Sequence, residues 1–256
     1  MAADELARIF AQDGFSVRFD WGLAGARALA PSVDVLVIVD VLSFTTAVEV
    51  AVACGARVYP YRHRDDSAAA FAKRVRATLA VDRRRVSVEE PYSLSPASLT
   101  GIPAETSLVL PSPNGSAISA LAAEFGRPIL AGCLRNAAAV ARAARARGEA
   151  IGVIASGERW GDGSLRPAYE DLVGAGAIMD SLPMGSWSPE AQAARGAFLA
   201  ARDHLQENLM YCASARELVA LGYARDVRIA SELNVSGTVP LLDHSGAYTA
   251  HAKLEQ

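Results

Sequence analysis

The feature that most constrains the fold is a nearly unbroken aliphatic run from Val33 to Val41, whose centre reads Val-Leu-Val-Ile-Val. A strand that is apolar on both sides of its pleat must be covered on both faces, which is typical of parallel sheets enclosed by helices. A helix-like segment, Ser43–Cys54, follows directly and ends at Gly55. Strand-like and helix-like segments alternate in this way along most of the chain. The sequence therefore predicts a three-layer α/β fold, with a largely parallel or mixed sheet and helices on both faces.

The same alternation assigns most of the 256 residues to elements, within one domain over residues 1–256 or two closely packed lobes of it. Further strands are predicted at Phe15–Asp20, Arg57–Tyr61, Arg85–Glu89, Ser107–Leu110, Pro128–Gly132, Ala150–Ser156 and Val227–Ala230. Further helices are predicted over Ala2–Gln12, Asp66–Ala80, Ser116–Phe125, Asn136–Arg147 and Pro167–Leu182, and from the start signals Ser188-Pro189 and Ser214-Ala-Arg-Glu217.

Composition narrows the classes of function. Apolar residues make up 51% of the chain, which is enough for a buried core, and the formal net charge is only −3. Such a charge lacks the basic footprint of a nucleic-acid binder, and the longest aliphatic run is far shorter than the ~20 residues of a membrane helix. Three widely spaced cysteines and a start without a signal-peptide pattern favour the cytoplasm. We therefore expect neither nucleic acid nor a membrane as partner, whereas a homo-oligomer is compatible with these patterns.

Asp40 stands directly after the buried strand and before the helix at Ser43–Cys54. Open parallel sheets bind ligands at the carboxyl ends of their strands, so an acid at this point is a candidate catalytic or metal-binding group. An acid here also accepts backbone N–H groups at the start of the next helix, and the sequence leaves both interpretations open. Haloacid-dehalogenase phosphatases carry a second Asp two residues after their nucleophile. Leu42 occupies that position, which disfavours that family.

Two loops that join a strand to a helix are candidate oxyanion sites. Pro111–Ser116 offers backbone N–H groups, a glycine and hydroxyl groups, as phosphate-binding loops do, although Asn114-Gly115 also suits an ordinary turn. Gly132–Asn136 contains Arg135, which could pair with a phosphate through two hydrogen bonds. Neither loop has the glycine spacing of a nucleotide-binding fingerprint, so a nucleotide-handling enzyme is disfavoured.

The segment after the strand at Ala150–Ser156 concentrates acidic residues. The loop Gly157–Arg166 holds three glycines together with Glu158 and Asp162, and Glu170-Asp171 follow in the first turn of the next helix. The four histidines have no metal-binding spacing, so a metal would take oxygen ligands. Asp40, Glu158 and Glu170 or Asp171 could together bind Mg²⁺, which prefers a few carboxylates and several waters.

These motifs, taken in order, resemble the magnesium-dependent 2-phosphosulfolactate phosphatase family over residues from about 33 to 242. The resemblance implies an α/β fold, hydrolysis of a phosphomonoester, and acidic residues that bind Mg²⁺. The matching segments are Ile38-Val-Asp-Val-Leu-x-x-Thr-Thr46, Ser112-x-Asn-Gly-Ser116, Asn136, Gly157-Glu-Arg159, Glu170-Asp-x-x-x-Ala-Gly176, and Gly222-Tyr-x-x-Asp-Val227 with Val239-Pro240.

Two departures from the family pattern bear on the substrate. Ser43 stands where relatives commonly carry an arginine, and the segment Val88–Pro96 is reduced. A serine hydroxyl offers one neutral donor where a guanidinium would offer two charged ones. We therefore expect poor hydrolysis of 2-phosphosulfolactate and a preference for a substrate with one fewer anionic group. A preference for 2-phosphosulfolactate would instead mean that the fold brings Arg62, Arg135, Arg159 or Arg166 to the place of the missing arginine.

The sequence thus predicts a Mg²⁺-dependent phosphatase of a small phosphorylated organic acid, with sulfonated acids such as 2-phosphosulfolactate among the candidates. A binding protein that recognises such a metabolite without turnover is the alternative. The predicted catalytic residues are Asp40, Arg135 and Arg159; the predicted substrate-binding residues are Ser43, Thr45, Asn114, Gly115, Ser116 and Asn136; the predicted metal ligands are Asp40, Glu158, Glu170 and Asp171.

Overall fold

The computed structural model describes residues 3–183 and 185–250. Its strands are β1 (Val17–Trp21), β2 (Val35–Val39), β3 (Arg57–Tyr61), β4 (Thr78–Leu79), β5 (Ser107–Pro111), β6 (Ile129–Gly132), β7 (Ile151–Ala155), β8 (Glu158–Arg159), β9 (Leu165–Arg166), β10 (Pro240–Leu242) and β11 (Tyr248–Ala250). Its α-helices are α1 (Ala3–Phe10), α2 (Gly22–Leu29), α3 (Phe44–Ala53), α4 (Asp66–Val75), α5 (Pro96–Leu99), α6 (Gly115–Ala123), α7 (Ala137–Arg145), α8 (Tyr169–Asp180), α9 (Pro189–Ala201), α10 (Leu205–Tyr211), α11 (Ala213–Ala220) and α12 (Ala224–Ala230).

One nine-stranded sheet organises the molecule, in the order β1-β7-β2-β6-β10-β11-β3-β5-β4. The first four strands are parallel to one another, as are the last three, and the antiparallel hairpin β10–β11 joins the two groups. Strands β8 and β9 form a separate small hairpin. The predicted α/β class with a mixed sheet is confirmed.

Strand β2 shows why the aliphatic run predicted coverage on both faces. All five of its residues are buried, with Val35, Val37 and Val39 in one hydrophobic cluster and Leu36 and Ile38 in another. Alternate side chains of a strand point to opposite faces, so each cluster lies on its own side of the sheet. The cluster around the three valines draws on α7, α8 and α9, and the opposite cluster on α2, α3 and α6. The sheet is therefore the middle of three layers.

Several predicted elements are wrong. Residues 85–89 form no strand, and Val227–Ala230 belongs to helix α12. Helix α4 ends at Val75 because Arg76 adopts a left-handed conformation with φ +54, and the chain then enters β4. Ser214 lies inside α11 rather than capping it. The helix expected from Ala2 ends at Phe10, and residue 2 lies outside the described residues.

Other expectations hold. Ser188 caps α9, since its hydroxyl accepts the N–H of Ala191 at 3.1 Å. The strands and helices from Ser107 to Leu182 are all found, with ends shifted by a few residues. No helix in the described part of the chain combines the length and the apolar character that a membrane crossing requires.

Helices α8 and α9 pack closely at Gly176. A Cβ atom added to Gly176 would lie 2.2 Å from the carbonyl oxygen of Ala194 and 2.7 Å from Cβ of Phe198. No side chain fits there unless the helices separate. Since the first turn of α8 carries Glu170 and Asp171, this packing also fixes two of the predicted metal ligands.

We predict that Gly176→Ala lowers the free energy of unfolding by about 2 kcal/mol or more, because overpacking a buried contact forces backbone shifts. The matched control is Gly196→Ala in α9, where an added Cβ meets nothing within 4 Å. That change should stabilise the helix by up to about 1 kcal/mol. Urea unfolding of both variants measures the difference, and equal effects of the two substitutions would contradict the packing argument.

Candidate active site

The carboxylate of Asp40 lies at the first residues of two helices. Its Oδ1 accepts the N–H of Phe44, which begins α3, at 3.1 Å, and its Oδ2 accepts the N–H of Gly115, which begins α6, at 2.9 Å. Both helices thus direct their positive ends at one buried carboxyl group, which is 6% exposed. The sequence interpretation of Asp40 as an acceptor at a helix start is confirmed, and a second helix is involved that the sequence did not indicate.

Gly115 is required for this arrangement. A Cβ atom at that position would lie 2.4 Å from Cδ1 of Phe44 and 2.7 Å from Oδ2 of Asp40. Asp40 follows β2 and Gly115 follows β5, and these two strands run in opposite directions because the antiparallel hairpin β10–β11 lies between them. The carboxyl ends of β2 and β5 therefore lie at opposite edges of the sheet and do not by themselves bring Gly115 to Asp40. The missing side chain lets the backbone of α6 reach Asp40 directly. The role of Gly115 is therefore to hold this carboxylate.

Two hydroxyl groups that we predicted as substrate ligands hold the backbone instead. Thr45 donates its hydroxyl hydrogen to the carbonyl oxygen of Asp40 at 2.8 Å, and its oxygen accepts the N–H of Asp40 at 2.9 Å. Ser116 donates to the carbonyl oxygen of Leu110 at 3.2 Å. Both side chains are fully buried. They fix the loops around Asp40, and we withdraw them as ligands of the substrate.

Asp40 lies among other buried acids. Glu170 and Asp171 are 2% and 3% exposed, and Glu158 is partly buried. Burial, together with the charge of Glu170, raises the pKa of Asp40 to about 6. Burial, together with Asp40 and Glu170, raises the pKa of Glu158 to about 7. The same three causes hold the pKa of Asp171 well above its ordinary value. The four predicted metal ligands therefore form one electrostatic group, which we call the acid cluster.

Asp171 resembles Asp40 in that each of its oxygens accepts a backbone N–H group. Its Oδ1 accepts the N–H of Val41 at 2.7 Å, and its Oδ2 accepts the N–H of Gly157 at 2.8 Å. Gly157 adopts a positive φ of 66°, a conformation that glycine takes without strain. Asp171 thereby joins the loop after β2 to the loop after β7. Its contacts are those of a residue that positions Asp40 and Glu158.

Glu158 is held from the other side by the loop before α6. The side-chain amide of Asn114 donates to Oε2 of Glu158 at 2.9 Å, and Nε of Arg159 donates to Oδ1 of Asn114 at 3.3 Å. Glu170 accepts the thiol hydrogen of Cys212 at 3.3 Å. The structure thus brings Asn114, predicted to bind substrate, and Arg159, predicted to be catalytic, next to the acid cluster.

The chemistry of the acid cluster suits a hard cation, although the ligands are not assembled. Several buried carboxylates raise one another's pKa, and a divalent cation among them would relieve that repulsion. Within the described residues, however, no group of three or more His, Cys, Asp or Glu side chains is arranged to hold one ion. Mg²⁺ commonly uses only one or two carboxylates and completes its shell with water and phosphate oxygens. The donor set therefore fits Mg²⁺.

A pocket of about 180 Å³ adjoins the acid cluster, and we call it the α2 pocket. It is bounded by the first turn of α2, by the β8–β9 hairpin and by the start of α6. Its lining residues are Trp21, Gly22, Leu23, Ala24, Asn114, Ile118, Ser156, Glu158, Arg159 and Leu165. Helix α2 was not predicted, so the wall of the pocket that it forms was not expected.

The predictions for Arg135 and Asn136 need correction. Arg135 donates from Nε to Glu49 at 2.6 Å and from Nη1 to Glu232, so two carboxylates already neutralise its guanidinium. Asn136 accepts the N–H of Cys133 and donates to two backbone carbonyl groups. Neither side chain is free to bind a phosphate. One signal could have indicated the ion pair, because Glu49 interrupts an apolar helix face and a buried acid requires a partner.

Comparison with known proteins identifies the family. The family model described as 2-phosphosulpholactate phosphatase matches residues 27–245. The chain belongs to this family. It is also 29% identical over 209 residues to a protein of Carboxydothermus hydrogenoformans described as "Probable 2-phosphosulfolactate phosphatase", a match that covers 80% of this chain and 84% of that relative. The resemblance inferred from the ordered motifs is confirmed, and so is the prediction of a phosphatase, a hydrolase of phosphoric monoesters.

Ser43 stands where relatives commonly carry an arginine, and the structure places the side chain of another arginine next to it. Nη2 of Arg83 donates to the hydroxyl oxygen of Ser43 at 2.7 Å, so a guanidinium does lie beside this position. It comes from none of the four arginines that we had considered. Nε of Arg83 also lies 3.5 Å from a carboxylate oxygen of Asp226, which is almost completely buried. The Ser43 argument against 2-phosphosulfolactate therefore loses its physical basis.

The acid cluster predicts a pH dependence of stability. An acid whose pKa is raised on folding keeps its proton while the unfolded chain releases it, so stability falls as pH rises from about 4 through the folded pKa of about 7 for Glu158. Glu158→Gln removes this effect. Measured in EDTA by urea unfolding, the variant should match the wild type near pH 4 and exceed it by about 2 kcal/mol near pH 8, with allowance for partial exposure. Glu149→Gln, at an exposed side chain, is the control and should leave the dependence of unfolding free energy on pH unchanged. Parallel pH dependences for Glu158→Gln and the wild type would contradict the prediction.

Removal of Arg83 should expose the cost of an unpaired buried acid. Arg83→Met leaves Asp226 buried without its cationic partner, and we predict a loss of about 3 kcal/mol in the free energy of unfolding. Arg85→Met changes a neighbouring arginine whose side chain is 73% exposed, and it should cost less than about 0.5 kcal/mol. Chemical denaturation compares the two variants, and similar small losses for both would show that the pair with Asp226 contributes little.

Proposed function

We propose that this chain is a Mg²⁺-dependent phosphomonoester hydrolase of the cytoplasm, acting on 2-phosphosulfolactate or a closely related small phosphorylated acid. The observation that carries the proposal is the position of Asp40, a buried carboxylate at the converging N-termini of α3 and α6, beside Glu158 and Glu170. The family supports hydrolysis of a phosphomonoester. The charge arrangement supports a cation as the partner of the acid cluster.

One or two of the carboxylates of Asp40, Glu158 and Glu170 would hold the cation, as is common for Mg²⁺. Asp171 would act through the backbone, because it fixes the N–H groups of Val41 and Gly157 on either side of the acid cluster. When bound, Mg²⁺ supplies a positive charge that polarises a phosphoryl oxygen and lowers the pKa of a coordinated water.

The chain's own groups would orient the phosphate and stabilise developing charge. Asn114 is already held between Glu158 and Arg159, so its amide is fixed at the entrance to the acid cluster. The guanidinium of Arg159 is exposed and makes two hydrogen bonds to the described residues, at 3.3 Å each, which leaves donors for a phosphoryl oxygen. Direct attack by water and formation of a phosphoenzyme on Asp40 are both compatible with these positions.

The first test measures turnover. With Mg²⁺ and a panel that includes 2-phosphosulfolactate and 2-phospholactate, we expect release of inorganic phosphate above an EDTA control. Asp40→Asn should reduce kcat by about a thousandfold or more, because the amide carries no charge. Its oxygen accepts only one of the two N–H groups that Asp40 holds, so circular dichroism is used to check that the variant is folded. Asp203→Asn, at a surface acid whose side chain is 84% exposed, should retain wild-type activity.

Retained activity in Asp40→Asn would remove this residue from the mechanism. Binding of the phosphorylated acids without any release of phosphate would favour the alternative of a non-catalytic binding protein. The ratio of kcat/KM for the two substrates also shows whether Arg83 compensates for Ser43.

The second test measures the metal directly. Binding of Mg²⁺ to the folded chain alone should raise the free energy of unfolding by about 2.7 kcal/mol at a concentration of 100 times Kd. Thermal melts with Mg²⁺ and with EDTA should therefore differ in midpoint for the wild type. Glu170→Gln removes a proposed ligand and should abolish most of the difference, whereas Glu217→Gln should keep it. Identical midpoints for the wild type at millimolar Mg²⁺ would contradict the metal proposal.

A further inference from the structure

The half of the sheet that holds β3, β5 and β4 carries arginines where the half that holds β2 and β7 carries acids. Strands β3, β5 and β4 are parallel, so the segments that follow them leave the sheet at one edge. The segment after β5 reaches Asp40 through the N–H of Gly115. The segments after β3 and β4 contain five arginines: Arg62, Arg64, Arg83, Arg84 and Arg85. A basic edge therefore meets the acid cluster.

Arg83 is an arginine of this edge that contacts the loop of Asp40. Its Nη2 donates to the hydroxyl oxygen of Ser43 at 2.7 Å and to the carbonyl oxygen of Leu94 at 3.2 Å. Ser43 directly precedes Phe44, whose N–H is held by Oδ1 of Asp40. Burial lowers the pKa of Arg83, and the negative charges of its surroundings, that of Asp40 among them, oppose this change. Arg83 therefore lies at the Ser43 side of Asp40.

The guanidinium of Arg83 is fixed in place but retains donors for a ligand. Its Cζ lies 5.5 Å from the centre of the Tyr223 ring, and its Nε lies 3.5 Å from a carboxylate oxygen of Asp226 without forming a hydrogen bond. Among the described residues Nη1 has no hydrogen-bond partner, and unlike Nε it is not enclosed. A guanidinium held rigidly with accessible N–H groups is preorganised to bind an oxyanion.

Arg64, in the segment after β3, adds a second positive charge. It lies close enough to Arg83 for its charge to lower the pKa of that guanidinium. Its side chain forms no salt bridge with a carboxylate of the described residues. The acids Asp65 and Asp82 of the same two segments accept N–H groups within their own turns. Asp226 balances only one of the two guanidinium charges, so an anion bound beside both would relieve their repulsion.

We infer that Arg64 and Arg83 bind the sulfonate of a substrate whose phosphate lies at the acid cluster. The inference rests on the proposed function, because it requires the phosphate to occupy the other side of Asp40, where Asn114 and Glu158 lie. A sulfonate has three oxygen atoms and can therefore accept hydrogen bonds from two guanidinium groups. Arg64 and Arg83 are thus specificity-determining residues, and they favour 2-phosphosulfolactate over an analogue without the sulfonate.

The first arm of the test compares 2-phosphosulfolactate with 2-phospholactate, which lacks only the sulfonate. The wild type should show a kcat/KM about tenfold higher or more for 2-phosphosulfolactate, as charge-assisted hydrogen bonds imply. Arg64→Met and Arg83→Lys should each remove most of this preference. Arg83→Lys keeps a positive charge beside Asp226 and loses the planar donors, so the ion pair survives. Arg85→Met removes a charge from the same turn, at an exposed side chain, and should keep the preference.

The ratio of the two kcat/KM values decides the role of each arginine. An unchanged ratio in Arg64→Met or in Arg83→Lys would overturn the role of the arginine concerned. An equal loss of kcat/KM for both substrates would also overturn the inference, because the arginines would then contact a group that both substrates carry.

The second arm does not depend on turnover. 3-Sulfolactate and lactate are titrated into the full chain by calorimetry. 3-Sulfolactate should bind at least about tenfold more tightly, Arg64→Met should remove most of the difference, and Arg85→Met should keep it. This pattern in a chain that releases no phosphate would support the arginine site and reject the proposed function. Phosphate release without tighter binding of 3-sulfolactate would reject the arginine site alone.

Discussion

The carboxylate of Asp40 joins parts of the chain that the sheet alone would not bring together. Its two oxygens accept N–H groups from the starts of α3 and α6. Helix α3 follows β2, whereas α6 follows β5, which lies in the other half of the sheet. The strands of that half run antiparallel to β2, because the β10–β11 hairpin lies between the two halves. Asp171 does the same for the loops after β2 and β7. These two buried acids are therefore structural acceptors as well as candidate reactive groups. A charge that backbone N–H groups hold in place is also preorganised for catalysis, since no side chain must move to present it.

Burial of the acid cluster lowers the stability of the folded chain, and the same burial gives its carboxyl groups their raised pKa values. Burying several carboxylates together raises their pKa values and destabilises the folded chain at neutral pH. Proteins commonly retain such conflicts at functional sites and compensate for them elsewhere in the fold. Here the compensation includes the apolar clusters on both faces of β2 and the close packing of α8 against α9 at Gly176. The proposed Mg²⁺ would be a further partner that compensates these charges.

The sequence predicted the elements whose signal is local and missed those that depend on distant contacts. Strand β2 follows from its aliphatic run, and the acid cluster from acids after strands and at the start of α8. Helix α2 was missed because two glycines weaken its helical signal, although Gly25 is needed where a Cβ would lie 2.6 Å from Asp20. The segment Val227–Ala230 alternates like a strand, and short apolar runs fit either structure. Arg83 lies in a run of three arginines that suggests a solvated surface, and only the fold shows its contact with Asp226.

The proposal requires that the acid cluster holds protons in the absence of metal, and that binding of a cation lowers the pKa values so that these protons are lost to solvent. Carboxyl-carbon NMR titration of selectively labelled chain tests this most directly, with Asp40→Asn and Glu158→Gln used to assign the signals. In metal-free protein the account predicts that Asp40 titrates near pH 6 and Glu158 near pH 7, and that Mg²⁺ moves both midpoints to lower pH. Midpoints near 4 for both groups without metal, or midpoints unaffected by saturating Mg²⁺, would contradict it.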